Sequence, residues 1–538
     1  MEITLRLLQF FLKYTYAVVY ALLNFFLPRK GPPTIPPIRN PLITLPLANV
    51  IKLMRQRKLK SEDLVKAYID RIKEVDPHIN AVVQDRFDDA LADAKRADGL
   101  IAKTSDANLP ALFNRYTLLG VPFTVKEACG LKGMPFRVGS RKRAHMICME
   151  NGEVVGNVVA AGGIPLLISA TPEYCFSIET NPAPPQKPCL NPYDSRRASG
   201  GSSGGEGALN GAGASLFGVG SDLGGSIRIP SLFCGVFGHK PTGGVTSIVG
   251  HFPGSSEENV KQYLQLGPIT RYGRDLALLM QVMAGRNAQK LDLLTPVETK
   301  DIKIFYSFGF DGPNGILHKS TDLDVQLSIL KAVKYLTNHG CKTELTSMKI
   351  FENSMEISFG EIAMIKKFPF LINSTNPHKV REHIFELCKS LVGRSEYTKE
   401  AIMIDLLRYT NGFMPAANLA KYKEKKQTLI TKLSEMLGND GVLLLPTFPT
   451  PAIHRNTSGL ALWNIDYCML FNIIGFPSTH VPMGLDQNDL PVGFQVVAAP
   501  YRDKLCFQIA SELEASLNGW IVPTPNDLQP LNESILFL

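Results

Sequence analysis

The first long apolar run lies at the very start of the chain. Residues 3–27 read ITLRLLQFFLKYTYAVVYALLNFFL, with Arg6, Gln9 and Lys13 confined to the first half and no charge from Tyr14 to Leu27. A membrane-spanning helix needs about 20 mostly apolar residues. This stretch reaches that length if Lys13 snorkels or the helix tilts. No small-residue cleavage site precedes the prolines of PRKGPPTIPP, which argues against a removed signal peptide. An interfacial helix would suit the interrupted first half. A single-pass anchor over residues 1–30 suits the whole stretch best, with the Pro-rich residues 31–46 as a semi-rigid spacer. A globular domain would then stand off a membrane, either the endoplasmic reticulum or a lipid-droplet surface. Basic residues flank both ends, so orientation stays open, and sequons at Asn373, Asn456 and Asn532 would permit a lumenal domain.

Past residue 46 the apolar period changes. Leu64, Val65, Tyr68, Ile69 and Ile72 recur at helical spacing behind Ser61, which reads as an N-cap followed by Glu62 and Asp63; this helix should end before Pro77. A second amphipathic helix fits 87–102. Residues 120–125 (GVPFTV) form a short apolar run that reads as a buried strand ending at Lys126, 154–161 reads as helix and 164–168 as strand. Such alternation predicts an α/β fold: one domain over 47–525, a mixed twisted sheet with helices on both faces, and a C-terminal tail over 526–538. Between 200 and 254 glycine and serine become frequent, yet apolar blocks are embedded among them, so the backbone there approaches something closely. Further buried strands are predicted at 442–445 and around Pro477 and Pro491.

Composition removes several classes. With 45 % apolar and 20 % charged residues, intrinsic disorder is excluded. The formal charge of +8 over 538 residues is mild, and the basic runs at 52–60 and 137–143 lack interleaved aromatics, so no nucleic-acid partner is expected. Nine scattered cysteines without CxxC spacing and ten histidines without HExxH predict neither a disulfide framework nor a metal, and no organic cofactor is implied.

The glycine-serine segment holds the candidate chemistry. Gly201-Ser202-Ser203-Gly204-Gly205 places two hydroxyls in a turn without bulky neighbours. Asp222-Leu223-Gly224-Gly225-Ser226 places another after a flexible pair whose backbone N–H groups can converge into an oxyanion hole. A serine nucleophile needs a base, and no histidine lies within these motifs. A lysine closing an apolar strand, as Lys126 does, can serve as one.

The chain resembles the amidase signature family, and within it the fatty-acid amide hydrolase group, through GVPFTVKEA around Lys126, SGGSSGGEGAL from Ser199, GVGSDLGGSIRIPSLFCGVFGHKPT over 218–242, and GFPSTHVPMG and LPVGFQVVA near the C-terminus. The resemblance implies a serine amidase that cleaves linear carboxamides of fatty acids through an acyl-enzyme. It puts the base at Lys126, the bridging serine at Ser202 behind a cis Gly201–Ser202 peptide, and the nucleophile at Ser226. It implies oxyanion donors at the amides of Leu223, Gly224, Gly225 and Ser226, scaffold roles for Asp222 and Arg228, and support from Ser203. The expected partners are a lipid amide and a membrane or lipid-droplet surface; a homodimer is left open. Two departures from the family pattern, Ser169-Ala170 and the text KPCLNPYD around Cys189, are expected near the acyl or amine group and bear on substrate range. Other readings are a GxSxG elbow with Ser203 as nucleophile, which wants a preceding strand that NPYDSRRAS does not offer, an amidotransferase A subunit of the same family, another amide or ester substrate, and a silent membrane-anchored binding protein.

Overall fold

The computed structural model describes residues 2–26, 35–310, 318–372, 379–410, 416–517 and 519–528. Eleven strands form one mixed sheet: β1 (Val82–Asp85), β2 (Pro122–Lys126), β3 (Ile164–Ser169), β4 (Phe217–Asp222), β5 (Phe237–Lys240), β6 (Gln265–Thr270), β7 (Lys303–Tyr306), β8 (Thr343–Leu345), β9 (Gly441–Leu445), β10 (Ser478–Leu485) and β11 (Pro491–Ala498). Their spatial order is β1-β3-β2-β4-β6-β5-β10-β11-β9-β7-β8. β2 pairs in parallel with both β3 and β4, while β4 runs antiparallel to β6.

Strand β9 shows why the expected α/β layering follows from sequence. Its text, GVLLL, is apolar at every side chain because both faces of the sheet are covered. Val442 and Leu444 enter one core cluster, with Ile329 and Leu336 of the helix Leu323–Asn338; Leu443 and Leu445 enter the other. Helices therefore flank the sheet on both sides, as the alternation predicts. The expected helix at 87–102 spans Phe87–Lys103 and buries Ala90, Ala94, Ala97 and Ile101 on one face. The helix that begins at Ser61 differs from its reading in two ways. It runs to Ile79 with Pro77 inside, ending at Asn80 in the left-handed region. Its first amides are capped by Asp98, whose carboxylate accepts from the N–H groups of Ser61 and Glu62, while the Ser61 hydroxyl donates to the Gly120 carbonyl.

The amino-terminal segment corrects the expectation of a membrane-spanning helix. Residues Glu2–Phe26 are helical, but among the described residues no helix is long and apolar enough to cross a membrane. The polar interruptions read in the sequence are used against the protein. Arg6 donates to the Glu356 carboxylate at 2.9 Å, Gln9 is buried, and Tyr16 packs fully buried among Phe233, Phe448 and Leu462. The helix therefore lies along the domain. The Pro-rich stretch is no spacer over its described part either: Ile35, Ile38, Leu42 and Ile43 enter the main core. Residues 31–34, the basic pair Arg29 and Lys30, the sequons at Asn373 and Asn532, and the tail beyond residue 528 lie outside the described residues. Asn456 is exposed.

Candidate active site

Three neighbouring elements carry the predicted residues. Lys126 closes β2; Ser202 and Ser203 precede the helix Gly204–Gly211; Ser226 stands between β4 and the helix Arg228–Phe233. Parallel pairing of β2 with β4 sets Val125 beside Val219, so both strands run toward the same end of the sheet. Lys126 is fully buried, and its Nζ stands 2.7 Å from Ser202 Oγ and 3.0 Å from Ser221 Oγ. The Gly201–Ser202 peptide is cis, and Thr171 Oγ1 donates to the Ser202 carbonyl at 2.9 Å. Ser203 ties the serine loop to β4: its N–H donates to the Ser226 carbonyl at 3.0 Å and its hydroxyl to the Ser221 carbonyl at 3.3 Å. No hydrogen bond joins the Ser226 hydroxyl to Ser202 among the described residues.

Asp222 and Arg228 hold the Ser226 turn. The fully buried guanidinium donates to both carboxylate oxygens, at 3.1 and 3.0 Å, and also reaches Gln495, the Cys468 carbonyl and Asn472. Burial alone would raise the Asp222 carboxyl, but Arg228 and the N–H groups of Gly225 and Ile227 outweigh it and hold it far below the usual carboxylate range. The pair's contribution is thus complete above the ordinary carboxylate range and is lost only on strong acidification. Replacing Asp222 by Ala would leave a buried guanidinium uncompensated, a cost of about 3–5 kcal/mol. We expect a clearly lowered melting temperature or loss of folded protein; an unchanged transition would refute this scaffold role.

Asp222 also alters the expected set of oxyanion donors. The Gly225 amide donates to Asp222 Oδ1 at 2.7 Å and so is already committed. Gly225 itself adopts φ +108°, where an added Cβ would meet Ile229 and Cys468. The amides of Leu223, Gly224 and Ser226 have no protein acceptor among the described residues. These same three residues are half-buried while their neighbours are buried. They line one predominantly apolar cavity with Ile178, Phe359, Ile404 and Met469, enclosing about 960 Å³ including its open mouth.

The departures from the family pattern sit elsewhere than expected. Ser169, Ala170 and Cys189 are buried and do not line this cavity. Ala170 lies under the serine loop, its carbonyl accepting the Gly205 N–H at 3.1 Å; a Cβ on Gly205 would come 2.5 Å from the Ala170 nitrogen. The elbow reading also fails, since no strand leads directly into Ser203 and its hydroxyl is buried against β4. Glu206 escaped sequence reasoning. Its carboxyl accepts from Thr124 and is pushed up to about 7, mainly by burial. No local sequence signal pointed to it; in the structure a side chain at Gly218 would collide with Glu206 Oε2.

With fold and loop geometry in view, the class of the protein is that of an amide hydrolase. The family model described as Amidase matches residues 63–507, and the chain belongs to the amidase signature family. It is 38 % identical over 514 residues to fatty-acid amide hydrolase 2 of Homo sapiens, covering 92 % of this chain and 93 % of that one. Fatty-acid amide hydrolase 2-B of Danio rerio is 36 % identical over 503 residues with the same coverage. A solved structure titled fatty acid amide hydrolase superposes with a TM-score of 0.68 at 19 % identity, covering 90 % of this chain and 86 % of that one, which supports the fold.

Proposed function

We propose that this chain is a serine amidase that hydrolyses fatty-acid amides to free fatty acid and amine. The observation that carries the reading is the placement of Ser226 and three uncommitted amides on one apolar cavity, with the Lys126–Ser202 pair buried behind them. Ser226 Oγ attacks the amide carbon while its proton passes to Ser202 Oγ, whose own proton passes to the lone pair of a neutral Lys126 amine. The carbonyl π electrons move to oxygen, which accepts from the amides of Leu223, Gly224 and Ser226. Returning by the same route, the proton goes to the leaving nitrogen, and water then releases the acyl group from Ser226. The Ser226–Ser202 link forms as substrate binds, since catalytic hydrogen bonds often tighten only then.

Substrate supply favours a lipid surface. A long-chain amide partitions into membrane, at about 0.8 kcal/mol per buried CH₂. Leu7, Phe10, Phe11, Tyr14, Val18 and Leu22 are exposed on one side of the amino-terminal helix, opposite Gln9 and Tyr16, which face the protein. Leu12 of this helix packs with Met355, Trp463 and Phe359, and Phe359 also lines the cavity. We infer that the helix lies in the plane of a bilayer or lipid-droplet surface beside the cavity, without crossing it.

A direct test uses purified enzyme, a long-chain primary amide in neutral lipid vesicles, and a short soluble amide. Wild type should release fatty acid and carry a fluorophosphonate adduct on Ser226. The variant F11D/V18D should float poorly with vesicles and lose long-chain turnover, yet keep most activity on the short amide. A labelled Ser226 without long-chain hydrolysis would point to another amide or ester substrate. Unchanged flotation would remove the helix from the membrane contact.

A further inference from the structure

Beyond the predicted residues, Lys126 has a second neighbour whose own partner is a histidine. Ser221 Oγ stands 3.0 Å from Lys126 Nζ and 2.8 Å from His251 Nε2; on the other side of the ring, His251 Nδ1 is 2.8 Å from the Pro253 carbonyl. The backbone holds this ring in place. His251 forms an antiparallel bridge with Cys129, three residues after Lys126, and the flanking bonds run from Phe252 N–H to the Ala128 carbonyl and from Gly130 N–H to the Gly250 carbonyl.

Donor and acceptor chemistry fixes the direction of every bond in this chain. A carbonyl only accepts, so Nδ1 carries the ring proton. A neutral ring then has Nε2 as an acceptor only, so the Ser221 hydroxyl donates to it. With that hydrogen spent, Ser221 offers Lys126 only lone pairs and takes one of its N–H groups. The ring stays neutral: burial is the chief cause that lowers its pKa to about 3. The other titratable groups around it do not disturb this order. The Cys129 thiol, pushed up to about 12 by burial, also meets the Ser221 hydroxyl, where a protonated thiol can donate its S–H to a Ser221 lone pair, and Glu206 is engaged by Thr124.

We propose that His251 is a positioning residue for Lys126, acting through Ser221, which it turns so that the lysine lone pair is left free to face Ser202. Without an acceptor at 251, the Ser221 hydroxyl would turn and donate to that lone pair, occupying the base. When Lys126 takes the proton from Ser202, the chain from its N–H through Ser221 to Nε2 polarises in the sense that stabilises the new ammonium. No further bond is made or broken.

This inference rests on the hydrolase reading, and the experiment separates the two. Amide turnover and the rate of fluorophosphonate labelling at Ser226 are measured for wild type, H251L, H251Q, S221A and S221A/H251L. Leucine removes the acceptor at similar volume; glutamine restores one near the Nε2 position. H251L should lower kcat about tenfold or more with KM changed by less than about threefold, H251Q should recover most of the loss, and H251L should have no further effect in the S221A background. Nitrogen-15 NMR of histidine-labelled wild type should show His251 protonated on Nδ1 alone from pH 6 to 9. That measurement holds the inference to account even if H251L does not fold. Normal wild-type labelling with an unaltered H251L, an equal loss in the S221A background, or an Nε2–H tautomer would overturn the role of His251 alone. A wild type with neither labelling nor turnover would overturn the hydrolase reading as well.

Discussion

Ser226→Ala is expected to abolish the acyl-enzyme and to reduce amide turnover by several orders of magnitude, on the order of 10⁶-fold where a nucleophile is deleted from a serine hydrolase. The substitution removes little else. The Ser226 hydroxyl has no hydrogen bond to Ser202 among the described residues, and the tie that holds the residue, from Ser203 N–H to its carbonyl, is backbone and survives. Asp222 and Arg228 keep the turn, so the melting temperature should be unchanged. Intact-mass measurement after fluorophosphonate treatment reads the result directly. An adduct that persists in the variant would move the nucleophile to another serine; Ser202 and Ser203 are the neighbours, and both are buried.

Lys126→Ala should lower amide turnover by about 10²–10⁴-fold, the range of general base catalysis. The lysine is fully enclosed and its amine meets two hydroxyls, Ser202 and Ser221. Removing it takes away both the acceptor for the attacking serine's proton and the donor for the leaving nitrogen. Lys126→Met keeps much of the buried volume and separates loss of the base from loss of packing. Both variants should fall together on amides, with slowed probe labelling. Near-normal amide turnover in either one would exclude Lys126 as the base.

Local pattern was a sound guide wherever one element decided the outcome. The apolar run that ends at Lys126 is β2, and the strands expected at 442–445 and around Pro477 and Pro491 are β9, β10 and β11. Frequent glycine in 200–254 did mark close backbone approach, as at Gly205 against Ala170 and Gly218 against Glu206. Two of the readings that failed concern polar groups whose partners lie far along the chain. Ser61 looks like a cap until Asp98, 37 positions away, takes that place. Arg6 reads as an interruption of a spanning helix until Glu356, 350 positions away, accepts its hydrogen bonds.

By itself, then, the sequence determined the α/β alternation, the strand that delivers Lys126, and the glycine-rich turns that carry Ser202 and Ser226, because period, turn residues and apolar runs are properties of a few consecutive positions. Only the tertiary structure decided that the Gly225 amide is spent on Asp222, that the amino-terminal helix lies along the domain, and that His251 reaches Lys126 through Ser221. The reason is the short range of the hydrogen bond. Its partner must stand within about 3 Å, and which residue stands there is set by how distant strands and loops pack.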